Sequence, residues 1–136
     1  MPALEQSVQK AGGETTPLPV QVASHTPLMA GAVQPVLELL RGCRFGAPAM
    51  PVLAGISGEP ITSAGSAQNA LSRQVAEPIR WDDCMDAIAG AGMDTVLELG
   101  PGAALARMFR ARHPQIACRS VADFRTVEGL RRWVDD

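Results

Sequence analysis

The chain has 136 residues, 46% of them hydrophobic and 19% charged, and a net charge of −2 from 12 basic and 14 acidic residues. That balance describes one globular domain with a real core and excludes a disordered chain. No basic run stands out, which argues against nucleic acid as a partner. No apolar stretch nears the roughly 20 residues that span a bilayer, which argues against a membrane role.

The three cysteines, Cys43, Cys84 and Cys118, are far apart and form no C-x-x-C. An odd, scattered set disfavours a disulfide framework and a zinc site and suits a reducing compartment. With no cationic segment leading an apolar run at the start, the expectation is a soluble, cytoplasmic chain without a bound metal.

In chain order, Ala3 to Lys10 read as a short helix ended by Gly12-Gly13, and Thr15-Thr16-Pro17 as a linker. Leu18, Val20 and Val22 alternate with Pro19, Gln21 and Ala23, a period of two that predicts a strand. Pro19 restricts that strand to an edge or a strand start. It feeds Ser24-His25-Thr26-Pro27-Leu28-Met29, so His25 stands at a strand-to-helix turn. Val33, Val36, Leu37 and Leu40 make one apolar stripe of a helix ending near Arg41. Pro35 predicts that this helix starts late or is kinked.

Pro51 to Ile56 read as a short buried strand, Ser57-Gly58-Glu59-Pro60 as a turn, and Ile61 as a partner pairing back. A helix capped at or near Ser66 follows, stopped by Glu77-Pro78. Trp81-Asp82-Asp83 opens the next helix, with Cys84, Ile88 and Ala91 inward and Gly90 and Gly92 at its end. Thr95 to Leu99 is the best-defined core strand. It runs through Gly100-Pro101-Gly102 into a helix with Leu105, Met108 and Phe109 on one face. A strand from Ile116 to Val121 and a helix from Thr126 to Trp133 close the chain. This order predicts an α/β fold with a mainly parallel sheet and flanking helices.

Few features could carry chemistry. Gly100-Pro101-Gly102, ahead of a helix whose free N–H groups could meet an anion, reads as a tight strand-to-helix turn or as a wall of a neighbouring active site. A nucleophile elbow needs G-x-S-x-G, and Gly55-Ile56-Ser57-Gly58-Glu59 has Glu59 where the last glycine belongs. Cys84 lies on the apolar face of a helix. His113, before Pro114, suits a helix C-terminus. Residue types alone leave His25 open between a general base and an ordinary turn histidine.

Four stretches, in one order, carry a resemblance. They are Ser24-His25-Thr26-Pro27-Leu28-Met29, Ala47-Pro48-Ala49-Met50-Pro51-Val52, Arg73-Gln74-Val75-Ala76-Glu77-Pro78-Ile79-Arg80-Trp81 and Leu97-Glu98-Leu99-Gly100-Pro101-Gly102. Together they resemble malonyl-CoA:acyl-carrier-protein acyltransferases from about residue 17 to the end. The tail from Cys118 to Arg125 resembles the malonyltransferase (epsilon) subunit of bacterial malonate decarboxylase.

The resemblance implies the C-terminal part of an α/β-hydrolase-like acyltransferase core at residues 24–136, with residues 1–23 a remnant of a ferredoxin-like small subdomain. It implies ping-pong transfer of malonyl from CoA to the phosphopantetheine thiol of an acyl carrier protein, with no cofactor. By residue match His25 is the base. The Gln74 to Glu77 segment lines the site, and a backbone carbonyl near it orients the imidazole. The family's serine and its malonate-binding arginine precede the histidine and are expected outside this chain. The chain is therefore expected to be inactive alone and to need a polypeptide carrying the serine half. An inactive remnant or interaction module that keeps the scaffold is the alternative.

Overall fold

The computed structural model describes residues 2–15 and 22–135. The first helix, α1 (Pro2–Lys10), ends as expected: Gly12 takes φ +79° and the Gly13 amide donates back to Val8 O at 2.9 Å. Most of the strand expected from Leu18 lies at residues 16–21, outside the described residues; Val22 and Ala23 have no strand pairing.

A 3-10 turn at Pro27–Met29 launches α2 (Ala30–Arg41). Thr26 is extended, φ −132° and ψ 158°, as a residue before proline must be. The late start expected from Pro35 is not what forms. Pro35 is the sixth helical residue, and its missing N–H leaves Gly31 O without its partner. Both residues are exposed and Gly31 has no side chain, so the ring finds room and the carbonyl finds water.

Leu53 and Pro60 form one antiparallel bridge, flanked by Ala54 N to Glu59 O at 2.8 Å and Ile61 N to Val52 O at 2.7 Å. The segment at Pro51 is thus a small hairpin with Ile61 pairing back, not a strand of the parallel sheet. Helix α3 (Ala64–Arg73) is capped by Ser63, whose Oγ accepts from Ser66 N at 3.1 Å, while Ser66 Oγ accepts from Ser63 N at 3.0 Å. Ser66 is therefore the reciprocal partner in the cap, not the cap itself. Helix α2 packs on α3, and Gln68 Nε2 donates at 3.1 Å to Leu40 O, a carbonyl at the end of α2 that also accepts from Cys43 N at 3.0 Å.

The remaining elements are α4 (Trp81–Gly90), β1 (Thr95–Glu98), α5 (Ala104–Arg112), β2 (Ala117–Ser120) and α6 (Val127–Asp135). Strands β1 and β2 pair in parallel, Thr95 opposite Ala117 and Glu98 opposite Ser120. Met85, Ala106, Phe109, Ile116 and Cys118 form the buried core, with Ile88, Ala89 and Val96 against it.

Two inward faces differ from the expected ones. On α4, Met85 is buried and Ala91 exposed. On α5, Ala106 and Phe109 are buried while Met108 is 49% exposed. The cause on α5 is Glu98, whose carboxylate accepts from the Leu105 and Ala106 amides at 3.4 and 2.9 Å. It draws the first turn of α5 onto β1, where Ala106 is 1% exposed.

Gly58 joins the hairpin to α4. It has φ +73°, and a Cβ built on it would lie 3.0 Å from the carbonyl carbon of Asp83 and 3.1 Å from its oxygen. Gly58→Ala is expected to lower stability by about 1–3 kcal/mol, read by chemical denaturation, through left-handed strain and backbone crowding.

Arg112 of α5 grips Asp86 of α4 with two hydrogen bonds at 2.6 and 2.5 Å, and His113 Nε2 lies 2.9 Å from the same carboxylate. The guanidinium, ahead of His113, lowers the Asp86 carboxyl from its ordinary 3.8 to about 2. A carboxyl depressed on folding stabilises the fold above its unfolded pKa and ceases to do so as pH falls through the folded value. Thermal melts of Asp86→Asn are therefore expected to lie below those of the parent at neutral pH and to converge with them between pH 4 and 2.

Candidate functional site

The chain enters the site through an unusual residue. His25 has φ +62°, the only left-handed non-glycine among the described residues. That conformation costs a side-chain-bearing residue about 1–2 kcal/mol. Two hydrogen bonds hold it: the His25 amide donates to Val75 O at 2.9 Å, and His25 Nδ1 meets Gln74 O at 2.5 Å.

Both acceptors lie just past the last turn of α3. Gln74 is the C-cap of α3 and Val75 follows it, and the carbonyls of both accept no other hydrogen bond among the described residues. A carbonyl cannot donate, so Nδ1 carries the proton. In the neutral ring Nε2 is then the bare nitrogen, and it has no hydrogen-bond partner among the described residues. Thr26 Oγ1 donates to Ala23 O at 2.8 Å and Met29 N to Thr26 O at 3.0 Å, which fix the turn on either side of the ring.

His25 opens onto a cleft of about 600 Å³. Gln74 and Gly55 share its wall with the apolar side chains Leu53, Ile79 and Trp81. A Cβ at Gly55 would make ordinary contact with Ile79 Cδ1 at 3.5 Å and Gln74 Oε1 at 3.8 Å. The hairpin and the entry to α4 are tied by Arg80 N to Gly55 O at 2.8 Å.

Of the residues expected at the site, His25 and Gln74 come together. The side chain of Glu77 does not join them: both its oxygens are taken by Arg73, at 2.7 and 2.9 Å, and it does not line the cleft. The spacing explains this, because residues four apart meet along a helical turn. The sequence reading did not single out Trp81 or Ile79 as lining residues. Their signal was present in the stretch from Arg73 to Trp81, where both are large apolar residues just after Pro78.

Cys84 also lines the cleft, but burial pushes its thiol pKa up, against a smaller opposing effect of the Gly58 backbone. It stays a thiol and is not an activated nucleophile. No serine or cysteine side chain hydrogen-bonds His25 among the described residues. Side chains from both strands bond the backbone around Gly100-Pro101-Gly102. Glu98 already occupies the amides at the start of α5, and buried Ser120 donates to Gly102 O at 2.5 Å.

Over 109 residues the chain is 32% identical to the malonyl CoA-acyl carrier protein transacylase of Salmonella typhimurium, covering 74% of this chain and 35% of that protein. The relatives of this chain are malonyl-CoA:acyl-carrier-protein transacylases. The transacylase of Bacillus subtilis is 24% identical over 127 residues, 92% of this chain and 40% of the relative. Among solved structures, the transacylase of Xanthomonas oryzae pv. oryzae superposes with a TM-score of 0.86 at 26% identity, covering 96% of this chain and 41% of that one. A malonyl-transacylase in complex with its type II PKS acyl-carrier protein gives 0.79 at 31% identity, over 88% and 40%. No protein-family model matches the chain.

The chain thus spans only 35–41% of the length of these transacylases, and it matches their C-terminal part. The expected fold class is the one found: mixed α/β, with a small parallel sheet and flanking helices like a portion of the transacylase fold.

The tautomer is directly measurable. Nitrogen-15 NMR of the chain at a pH where the ring is neutral is expected to show the His25 proton on Nδ1 and a bare Nε2; the opposite tautomer would contradict the Gln74 contact.

Proposed function

We propose that this chain supplies the histidine side of a malonyl-transfer centre working between CoA and an acyl carrier protein. The observation that carries the reading is His25 itself. It is held by Gln74 O through Nδ1 at the mouth of a cleft, in a chain whose relatives are malonyl-CoA:acyl-carrier-protein transacylases. Its Nε2 would take the proton of a serine hydroxyl as that oxygen attacks the malonyl thioester carbonyl. The same proton then goes to the departing CoA sulfur. In the second half, Nε2 would take the proton of the phosphopantetheine thiol, which attacks the malonyl-serine ester. The proton returns to the serine as the ester breaks.

On this reading the serine, and the arginine that would select the malonyl carboxylate, come from sequence outside these 136 residues. Residues 24–136 are then part of the catalytic core and residues 1–23 a remnant of the small subdomain. Gln74 orients the base through its carbonyl. Glu77 acts one step away, bracing through Arg73 the turn that carries Gln74 and Val75. The setting is the cytoplasm, in keeping with three free thiols. The narrower assignment to malonate decarboxylase rests on the stretch from Cys118 to Arg125 alone, and the relatives named above add nothing to it. A scaffold kept without chemistry is the competing reading. The large apolar side chains left exposed, such as Leu99 at 79% and Leu28 at 83%, suit a surface made for binding.

A labelled malonyl-transfer assay separates the two. With the serine-bearing remainder of the Salmonella typhimurium transacylase added, transfer is expected, and His25→Ala is expected to lower it by about 100- to 10,000-fold. No effect of that substitution would favour the scaffold. Transfer by the chain alone would refute an external serine.

A further inference from the structure

We propose that the side-chain carboxamide of Gln74 binds a secondary amide of the ligand in the His25 cleft, donating to its C=O and accepting from its N–H. That amide belongs to the pantetheine arm that carries the thioester. The inference rests on the malonyl-transfer reading for the identity of the arm.

Gln74 has two separable ends. Its main chain is fully engaged: the carbonyl meets His25 Nδ1 at 2.5 Å, and the amide donates to Ala70 O at 3.0 Å. Its carboxamide makes no hydrogen bond among the described residues. That group stands at the cleft wall. From the Gly55 backbone, the Cβ direction meets Ile79 Cδ1 at 3.5 Å and the Gln74 carboxamide oxygen at 3.8 Å. Gly55, Ile79 and Gln74 all line the cleft.

The rest of the wall limits what this group can meet. Among the described residues no Arg, Lys, Asp or Glu lines the cleft. Leu53, Ile79 and Ile88 offer apolar surface alone. The Trp81 indole can only donate. The His25 ring has Nδ1 engaged and Nε2 left to accept, and the Cys84 thiol is directed at Ala54 O at 3.8 Å. Gln74 is therefore the one lining side chain with a donor and an acceptor both free.

A carboxylate or phosphate brings charge that nothing on this wall compensates. A plain alkyl group would strand the carboxamide once water leaves the cleft. A secondary amide offers one C=O and one N–H, the complement of what Gln74 offers. Its flanking methylenes suit Leu53, Ile79 and Trp81, in the usual pattern of an apolar pocket with a few placed polar groups. In a pantetheine arm an amide follows the sulfur after a short carbon link, so a sulfur presented to His25 brings an amide with it. One residue then anchors both partners: its main chain fixes the imidazole and its side chain fixes the arm. A contact held equally in ground and transition states lowers KM and leaves kcat alone.

NMR titration of the full 136-residue chain with S-acetyl-pantetheine tests this. The Gln74 side-chain NH2 signals are expected to move and saturate. Gln74→Met keeps the length of the side chain and the main-chain carbonyl but removes both hydrogen bonds. Gln74→Glu keeps an acceptor, loses the donor and adds a charge. Each is expected to keep the far-UV circular dichroism and the His25 tautomer, and to bind S-acetyl-pantetheine about tenfold more weakly. S-acetyl-2-methoxyethanethiol, which has no amide, is expected to bind the parent and both variants alike. With the serine-bearing remainder of the Salmonella typhimurium transacylase added, Gln74→Met is expected to raise KM for the pantetheine thiol about tenfold at unchanged kcat. Absence of saturable binding, unmoved NH2 signals, or equal affinity of parent and variants overturns the proposal. So does an altered His25 tautomer in the variants, or an equal loss of affinity for the thioester without an amide. Weakened binding in the variants without malonyl transfer upholds the contact and overturns the transfer reading. Transfer with KM unchanged in Gln74→Met does the reverse.

Discussion

The site depends on the carboxyl end of α3. The turn that follows its last residue, Arg73, presents two consecutive carbonyls, Gln74 O and Val75 O, which bind the ring and the amide of one residue. That pair of bonds offsets the left-handed backbone of His25, fixes its tautomer and points its free nitrogen away from the helix that holds it. Everything that keeps α3 in place thereby keeps the histidine in place: the Ser63–Ser66 cap at one end, the packing of α2 along its side, and the Arg73–Glu77 pair across its last turn.

A second set of constraints organises the sheet. Glu98 reaches from β1 to the first amides of α5, and Ser120 reaches from β2 to Gly102 O. Both are side-chain bonds to backbone groups that helix and turn geometry would otherwise strand. They lock the Gly100-Pro101-Gly102 turn from both strands and bring Ala106 and Phe109 onto the core. The same bonds make this turn a structural joint between the two strands and α5.

The core that results is one-sided. Met85, Ala106, Phe109, Ile116 and Cys118 bury one another, while Leu99, Met50, Leu39 and Leu28 remain largely exposed. Leu99 borders a groove beside β1, whose wall residues Trp81, Cys84 and Ile88 also line the cleft of His25.

The sequence by itself determined the helices, the caps and turns, the parallel α/β order and the motif that puts His25 before Pro27. These follow from periodicity and from interactions within about five residues, which residue type reveals. The four ordered motifs also carry the resemblance to the transacylases that the chain is similar to. Only the tertiary structure decided that Gln74 and Val75, 49 and 50 positions beyond His25, hold it through their backbones; that Glu77 turns to Arg73; and that Ala106 and Met85, not Met108 and Ala91, face inward. The physical reason is plain. Every residue carries the same carbonyl, so an acceptor on the main chain leaves no mark in residue type, and the rotation of a helix about its axis is set by the partner it meets, such as Glu98 at the first turn of α5.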